Sequence, residues 1–190
     1  MTRKYELKRR AERQQQTRRR IVEAAIELHR TKGPARTTMS DVARLAGVQR
    51  HTLYRHFPDE RELGLACSGL HFETNPPPDA ADWLHLDDPD DRLRRGLTEV
   101  YDWYARVEDM FSCVLRDAEF HPLTRELLEL RGGPPMRAIR STLADVVPHR
   151  KGSVAALDLA LDFHGWQRLR TSGLSNAEAA ETMARAILCQ

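Results

Sequence analysis

Long apolar runs, strand patterns and paired cysteines are all scarce in this sequence, and each scarcity removes a class of protein. No stretch approaches the roughly 18 uncharged apolar residues that a membrane-crossing helix needs. The N-terminus is a basic polar run rather than the apolar core of a secretory signal, so no membrane partner is expected and the chain is read as cytoplasmic. Cys67, Cys113 and Cys189 are few, far apart and odd in number, which argues for a reducing compartment and against a disulfide framework. The eight histidines are scattered. With no His-x-x-x-His pair and no Cys-x-x-Cys, neither a metal nor a cofactor is expected. A Gly-rich phosphate loop and a nucleophile elbow are missing too. Asp102, Asp117, Glu119, His121 and His164 are the candidate acids and bases, but nothing in their spacing assembles a catalytic pair, so the chain is not expected to be an enzyme.

What is present is a chain of 190 residues, 41% hydrophobic and 31% charged, enough for one or two compact domains with an apolar core. Its net charge of +2 conceals a strong asymmetry: residues 1–58 hold 15 Lys or Arg against 5 Asp or Glu, and residues 59–190 hold 15 against 23. A basic first third on an acidic remainder predicts one part that meets a polyanion and another that does not.

Strand alternation and Asn-Gly or Asp-Gly hairpin turns are absent, while helical periodicity recurs throughout, so the fold is expected to be all-α with about nine helices. Ile21, Ala25 and Leu28, with Ala24 beside them, give one face of a first helix over about 17–31, stopped by Gly33-Pro34. The sixteen residues before it form a basic extension, read either as a solvated tail or as an arm on nucleic-acid phosphates. Thr38 and Asp41 have capping-box spacing for a second helix over about 39–46, and Gly47 suits a left-handed helix end. A third helix begins near Gln49 or Arg50 and stops before Pro58. Asp59 caps a fourth, reaching about residue 72.

Residues 74–91, with Pro76-Pro77-Pro78 and several aspartates, read as a linker or surface loop. Further helical stretches follow at about 90–106, 108–119, 122–131, 135–147, 153–172 and 176–188. Three segments result: a basic extension (1–16), a helix-turn-helix head (17–72) and a C-terminal helical domain (73–190).

The short helices flanking Ala46-Gly47-Val48 cannot stand alone and must lean on the first and fourth helices. The third helix then presents Gln49, Arg50, His51, Thr52, Tyr54, Arg55 and His56 outward. Arg donates two hydrogen bonds to guanine, Gln pairs with adenine and Thr offers a methyl to thymine, so this face suits a DNA groove. Tyr54, His56, Arg61 and Thr38 are better placed for phosphates.

Ile21-Val22-x-Ala24-Ala25-x-x-Leu28, Gly33, Thr37-Thr38-Met39-x-Asp41-Val42-Ala43, Ala46-Gly47-Val48, Thr52-Leu53-Tyr54-Arg55-His56-Phe57 and Leu63 occur in that order. In these motifs residues 17–65 resemble the DNA-binding head of the TetR (tetracycline-repressor-like) family. His29 and Pro34 depart from it, standing where aromatic residues are usual, and Arg61 stands where Lys is frequent. The resemblance implies a transcriptional regulator, usually a repressor, that binds a palindromic operator as a homodimer and is released by a small, largely apolar effector held in the C-terminal domain. Trp103, Tyr104, Phe111, Phe120, His121, Phe163 and Trp166 are the expected lining of that site, with Leu115, Met136 and His164 near it. Dimerisation is expected through the last two helices, where Val154, Leu157 and Leu161 form one stripe and Leu159, Phe163 and Trp166 another, and where Ala177, Ala180, Met183, Ala184 and Ile187 follow. The alternative is an architectural DNA-binding protein without an effector, for which the long acidic C-terminal part would be superfluous.

Overall fold

The computed structural model describes residues 2–189, with the side chains of residues 5, 6 and 8–189. Nine α-helices occur among them: α1 (Thr2–Lys32), α2 (Met39–Leu45), α3 (Arg50–His56), α4 (Glu60–Thr74), α5 (Pro89–Ala118), α6 (Pro122–Ala144), α7 (Lys151–Ala160), α8 (Phe163–Thr171) and α9 (Asn176–Leu188). Short 3-10 turns lie at Pro34–Arg36 and Ala80–Trp83. The described residues include no strand and no helix long and apolar enough to cross a membrane.

Several elements differ from the sequence expectation. Helix α1 begins at Thr2, not near residue 17, because residues 2–16 are strong helix formers with no glycine or proline among them. α5 is one helix: nothing at Arg106-Val107-Glu108 breaks it, and buried Val107 continues the stripe of Leu93, Leu97, Val100 and Tyr104. α6 runs unbroken through Pro134 and Pro135. The expected helix over 153–172 is instead two, since Asp162 accepts a hydrogen bond from the Gly165 amide at 2.7 Å and starts α8 afresh. Within the expected loop, Ala80 and Trp83 are buried, anchoring their turn.

The chain divides into two compact units. The first comprises residues 1–74 and 109–129, so the end of α5 and the start of α6 belong with the helix-turn-helix. The second comprises residues 75–108 and 130–190. In the second, Leu93, Leu97, Ile139, Leu143 and Leu157 are wholly buried together with Trp166, Ala179, Ala184 and Ile187. The stripes of α7 to α9 are thus largely this unit's own core: Leu157, Leu161, Phe163 and Trp166 face inward, while Leu159 is 59% exposed.

The core of the first unit joins Ile21, Val22 and Ala25 of α1 to Val42 of α2, Leu53 and Phe57 at α3, and Leu63 of α4. Its polar counterpart is the wholly buried carboxylate of Asp117. Asp117 accepts a hydrogen bond from the Ala35 amide at 2.9 Å and pairs with Arg116 at 2.8 Å. Arg116 also donates to the Lys32 carbonyl at 3.0 Å, and the Cys113 thiol reaches the Arg30 carbonyl at 3.5 Å. The end of α5 therefore satisfies carbonyls that the last turn of α1 leaves without helical partners. Gly33 sits under this latch with a φ of 97°, and a Cβ there would come within 2.3 Å of both Arg116 and Asp117.

Removing the latch should loosen the first unit. Asp117→Ala leaves the half-buried Ala35 amide without its acceptor and the Arg116 guanidinium without its partner, and should cost about 1–3 kcal/mol, whereas Asp117→Asn keeps an acceptor and should cost less. Gly33→Ala should cost at least as much as Asp117→Ala, because left-handed strain of about 1–2 kcal/mol adds to the displacement of the latch. Urea unfolding followed by far-UV circular dichroism orders the three variants; an Asp117→Ala chain as stable as wild type would refute the latch.

Candidate nucleic-acid interface

The local sequence builds α2 and α4 from caps inward. The Thr38 hydroxyl accepts from the Asp41 amide at 3.1 Å, and the Asp41 carboxylate accepts from the Thr38 amide at 3.2 Å, completing the expected capping box. Lys32 and Arg44 close on the same carboxylate at 2.7 Å each. Lys32 first, and then the Thr38 bonds, hold the Asp41 carboxyl far below the usual carboxylate range. Gly47, with a φ of 64°, ends the pair's first helix as expected. The Asp59 carboxylate accepts from the Glu62 amide at 2.8 Å and opens α4.

On α3 the inner side is Leu53, wholly buried, followed at once by buried Phe57. The outer side holds Gln49, Arg50, His51, Tyr54 and Arg55, all exposed, with Thr52 and His56 half-buried. No acid lies between Gln49 and Phe57. Arg50 lies over the Tyr54 ring, 6.0 Å from its centroid, and His51 and Thr52 approach to 3.3 Å. Partial burial, then the charges of Arg55 and Arg18, push the His56 imidazole below its ordinary pKa. At neutral pH it is a hydrogen-bonding group, not a cation.

Two expected phosphate contacts are already engaged. Both the hydroxyl and the amide of Thr38 donate to Asp41. Arg61 is turned onto α6, with its guanidinium 2.7 Å from Glu126. Alongside, Gly64 of α4 faces Leu127 of α6 so closely that a Cβ would meet its methyl at 2.6 Å. Arg18 was not anticipated: its guanidinium packs over Phe57, 4.1 Å from the ring centroid. This contact spans 39 positions, and no local pattern in the sequence signals it.

The seven residues expected to line a ligand site are not gathered into one cavity. Trp103, Tyr104, Phe163 and Trp166 belong to the second unit and pack on one another, with Tyr104 5.3 Å from Phe163 and 5.7 Å from Trp166 between ring centroids. Their polar atoms are internally satisfied: Trp103 donates to the Asn75 carbonyl, Tyr104 to the Leu161 carbonyl and Trp166 to Asn176. Phe111, Phe120 and His121 belong to the first unit, where Phe120 is 62% exposed. Of the candidate acids, Asp117 forms the latch, and Asp102 accepts from Asn176 at 2.8 Å.

A cavity of about 80 Å³ does lie within the first unit. Ile26 and His29 of α1, Cys67 and His71 of α4, Phe111 of α5 and Leu127 of α6 bound it, with Pro34 at one side. His29 and Pro34 also border a smaller space of about 50 Å³ beside α2. The Cys67 thiol is pushed up to about 12 by burial, which makes it an apolar wall rather than a nucleophile.

An all-α chain whose basic, acid-free α3 is held by a capped α2 and a buried spine is a helix-turn-helix protein. Comparison with known proteins defines it further. Residues 21–67 match the sequence model described as bacterial regulatory proteins, tetR family. Over 69 residues the chain is 42% identical to the HTH-type transcriptional regulator TtgR of Pseudomonas putida, and to the same extent to ArpR of that species. The alignment covers 36% of this chain and about a third (33%) of each relative's length. The likeness to this family in sequence is therefore confined to the helix-turn-helix head. Solved structures extend the likeness of fold over nearly the whole chain. HlyIIR, a hemolysin II transcriptional regulator, gives a TM-score of 0.67 at 15% identity, covering 91% of this chain and 97% of its own. NalD, the secondary repressor of the MexAB-OprM multidrug efflux pump in Pseudomonas aeruginosa, gives 0.62 at 22% identity, covering 93% and 95%.

Burial holds the His29 imidazole at a pKa of about 4, with Lys32 also lowering it and Asp117 opposing. Above pH 6.5 His29 is neutral folded or unfolded; between 6.5 and 4 only the unfolded chain takes the proton. Stability should therefore fall as pH drops through that window, by about 2–3 kcal/mol from this group. His29→Phe should flatten the slope between pH 6.5 and 4 in urea titrations, and an unchanged slope would show that His29 is not held neutral.

Proposed function

We propose that this chain is a sequence-specific DNA-binding transcriptional regulator that reads a palindromic operator as a homodimer. The carrying observation is the outer side of α3, exposed, basic and free of acids, on a helix whose inner side is locked by Leu53 and Phe57. In this reading Gln49, Arg50, His51 and Thr52 meet base edges, and Tyr54, Arg55 and His56 meet the backbone. Arg61 reaches a phosphate by exchanging Glu126 for it, and Thr38 serves as the cap that sets the angle of α2. The relatives' names, transcriptional regulators and a repressor, support repression as the mode of action.

Two-fold pairing places two recognition helices about 34–36 Å apart, one turn of DNA. Leu159, the exposed apolar residue of α7, together with half-buried Met183 of α9, is the surface left for a partner by the second unit's core. Release by a small apolar effector is the finer part of the proposal. The tightly satisfied aromatic cluster around Tyr104 leaves little room, so the cavity bounded by His29, Phe111 and Leu127 is the better-supported site. A void of about 150 Å³ holds benzene elsewhere, so an occupant here is of few heavy atoms unless the walls part.

Selection from a random duplex library should return a palindrome bound by two chains. Arg50→Ala should lose about 1–3 kcal/mol on it and relax preference at one position of each half-site, and Leu159→Glu should sediment as a monomer that binds weakly. Equal affinity for unrelated duplexes would instead favour an architectural protein.

For the effector, benzene, which enters only if the walls part, should at saturation raise the wild-type melting temperature and weaken operator binding, and a cavity-filling change of Val114, on the α5 wall of the cavity, to Phe should abolish both effects. A ligand alters DNA affinity only through a preference between two states. If benzene binds and operator affinity stays the same, release through this cavity is wrong.

A further inference from the structure

The first half of α1 is absorbed by nothing described so far. Its helix spans 31 residues, yet every described side chain from Tyr5 to Gln16 is exposed and the first wholly buried one is Ile21. A polar helix of three turns without packing is marginal in water. Its charges also work against it: Arg9 and Arg13 are like charges at i and i+4, a spacing that destabilises an isolated helix. Arg9, Arg13, Gln16 and Arg20 follow one another at spacings of four, three and four, so they share one side of α1. Such a side becomes stable when anions lie along it.

The position of α1 beside α3 is fixed by Arg18, which stands on the opposite side of the helix from Arg9, Arg13, Gln16 and Arg20. Its guanidinium rests on Phe57, the residue that ends α3, and its charge is felt by His56. α1 therefore leaves the globular part of its unit beside the C-terminal end of the recognition helix, next to exposed Arg55. From Thr17 back to Tyr5 the helix reaches about 18 Å, the length of about five base pairs.

We propose that residues 5–16 of α1 are a second DNA-contacting element, a basic helix that lies on the phosphates flanking the site read by α3 through Lys8, Arg9, Arg10 and Arg13. The inference rests on the DNA-binding reading of α3 and adds to it a sequence-independent contact. A lipid surface fits less well, because between residues 5 and 16 only Tyr5, Leu7 and Ala11 are apolar, too few for the apolar face of an interfacial helix.

The test compares the wild-type chain with a variant carrying Lys8→Gln, Arg9→Gln, Arg10→Gln and Arg13→Gln, and with one in which the three arginines become lysine. Each is titrated, over a range of salt, with the duplex selected by the wild-type chain, trimmed to its palindrome or extended by ten base pairs on each side. On the extended duplex the Gln variant should lose about 2–4 units of the log K against log salt slope for each bound chain, hence about 4–7 for the two-chain complex, at roughly 0.9 per phosphate contact. Its base preference should not change, the trimmed duplex should erase most of the difference, and the lysine variant should retain the wild-type slope. Equal slopes for wild type and Gln variant on the extended duplex would overturn the inference while leaving the α3 reading intact. So would Arg-dependent binding to phosphatidylserine vesicles with no flank dependence on DNA. A wild-type chain that selects no duplex at all would remove the reading of α3 and this inference with it.

Discussion

The helix-turn-helix of this protein depends on one buried carboxylate. Asp117 is wholly enclosed, and its two oxygens are used on an amide of the turn after α1 and on Arg116 of its own helix. Through Arg116 the same group reaches the last carbonyl of α1. A charge in such a place is tolerable only if its hydrogen-bond capacity is filled, and here filling it fixes where α1 ends and where the chain turns toward Thr38. Gly33 is the steric complement, since any side chain would occupy the space of the carboxylate. The angle at which α2 starts, and through Gly47 the angle of α3, follows from that junction.

This explains why seven-residue helices can carry a recognition surface. Neither α2 nor α3 has the length to persist alone. α2 is fixed by its cap of Thr38 and Asp41, and both helices by buried residues on one side, so the outer side of α3 keeps its orientation. His29 and Pro34 stand near the same junction and border the cavities there. The family resemblance places bulkier aromatic residues at both positions, and replacing them with smaller rings is a sufficient physical reason for unfilled space between α1, α4 and the start of α6. Core gaps of this kind weaken packing, and their position beside the contact of Gly64 with Leu127 makes them relevant to how α4 is held.

Much of the head was legible in the sequence, because its signals are local. The capping box at Thr38, the left-handed Gly47, the stop at Pro58 and the Asp59 cap all act within four residues, and each appears in the structure. What lay beyond reach was either non-local or a matter of degree. The latch of Asp117 on Ala35 spans 82 positions, and Asp117 read only as one more helical acid. An apolar face begins only near residue 17, whereas helix propensity alone carries α1 fifteen residues further back, to Thr2. In α7 and α8 the apolar residues suggested one helix buried on two sides, but the Asp162 cap breaks it and turns Phe163 and Trp166 inward. Aromatic richness alone does not separate ligand lining from core, and the hydrogen bonds of Trp103, Tyr104 and Trp166 to neighbouring groups are non-local or backbone contacts that no sequence pattern signals.

The pairing of charges in the first unit adds a further step. Glu23 is held by Arg19, Glu27 by Arg30, Asp41 by Lys32 and Arg44, Asp117 by Arg116 and Glu126 by Arg61. Apart from the buried Asp117 and the half-buried pair of Lys32 with Asp41 these pairs are largely exposed, and exposed pairs contribute little to stability. Their effect is on the field. Acids near the junction are neutralised by neighbours on α1, α2, α4 and α5, while Arg50 and Arg55 on α3 and Lys8, Arg10 and Arg13 on α1 form no ion pair among the described residues. Part of the excess of 15 basic over 5 acidic residues in the first 58 thus stands uncompensated on α3 and on the first half of α1, which Arg18 ties to the end of α3 through Phe57. A polyanion approaching this unit meets uncompensated charge there and compensated charge around the latch, so the same ion pairs that add little to the fold give its approach a direction.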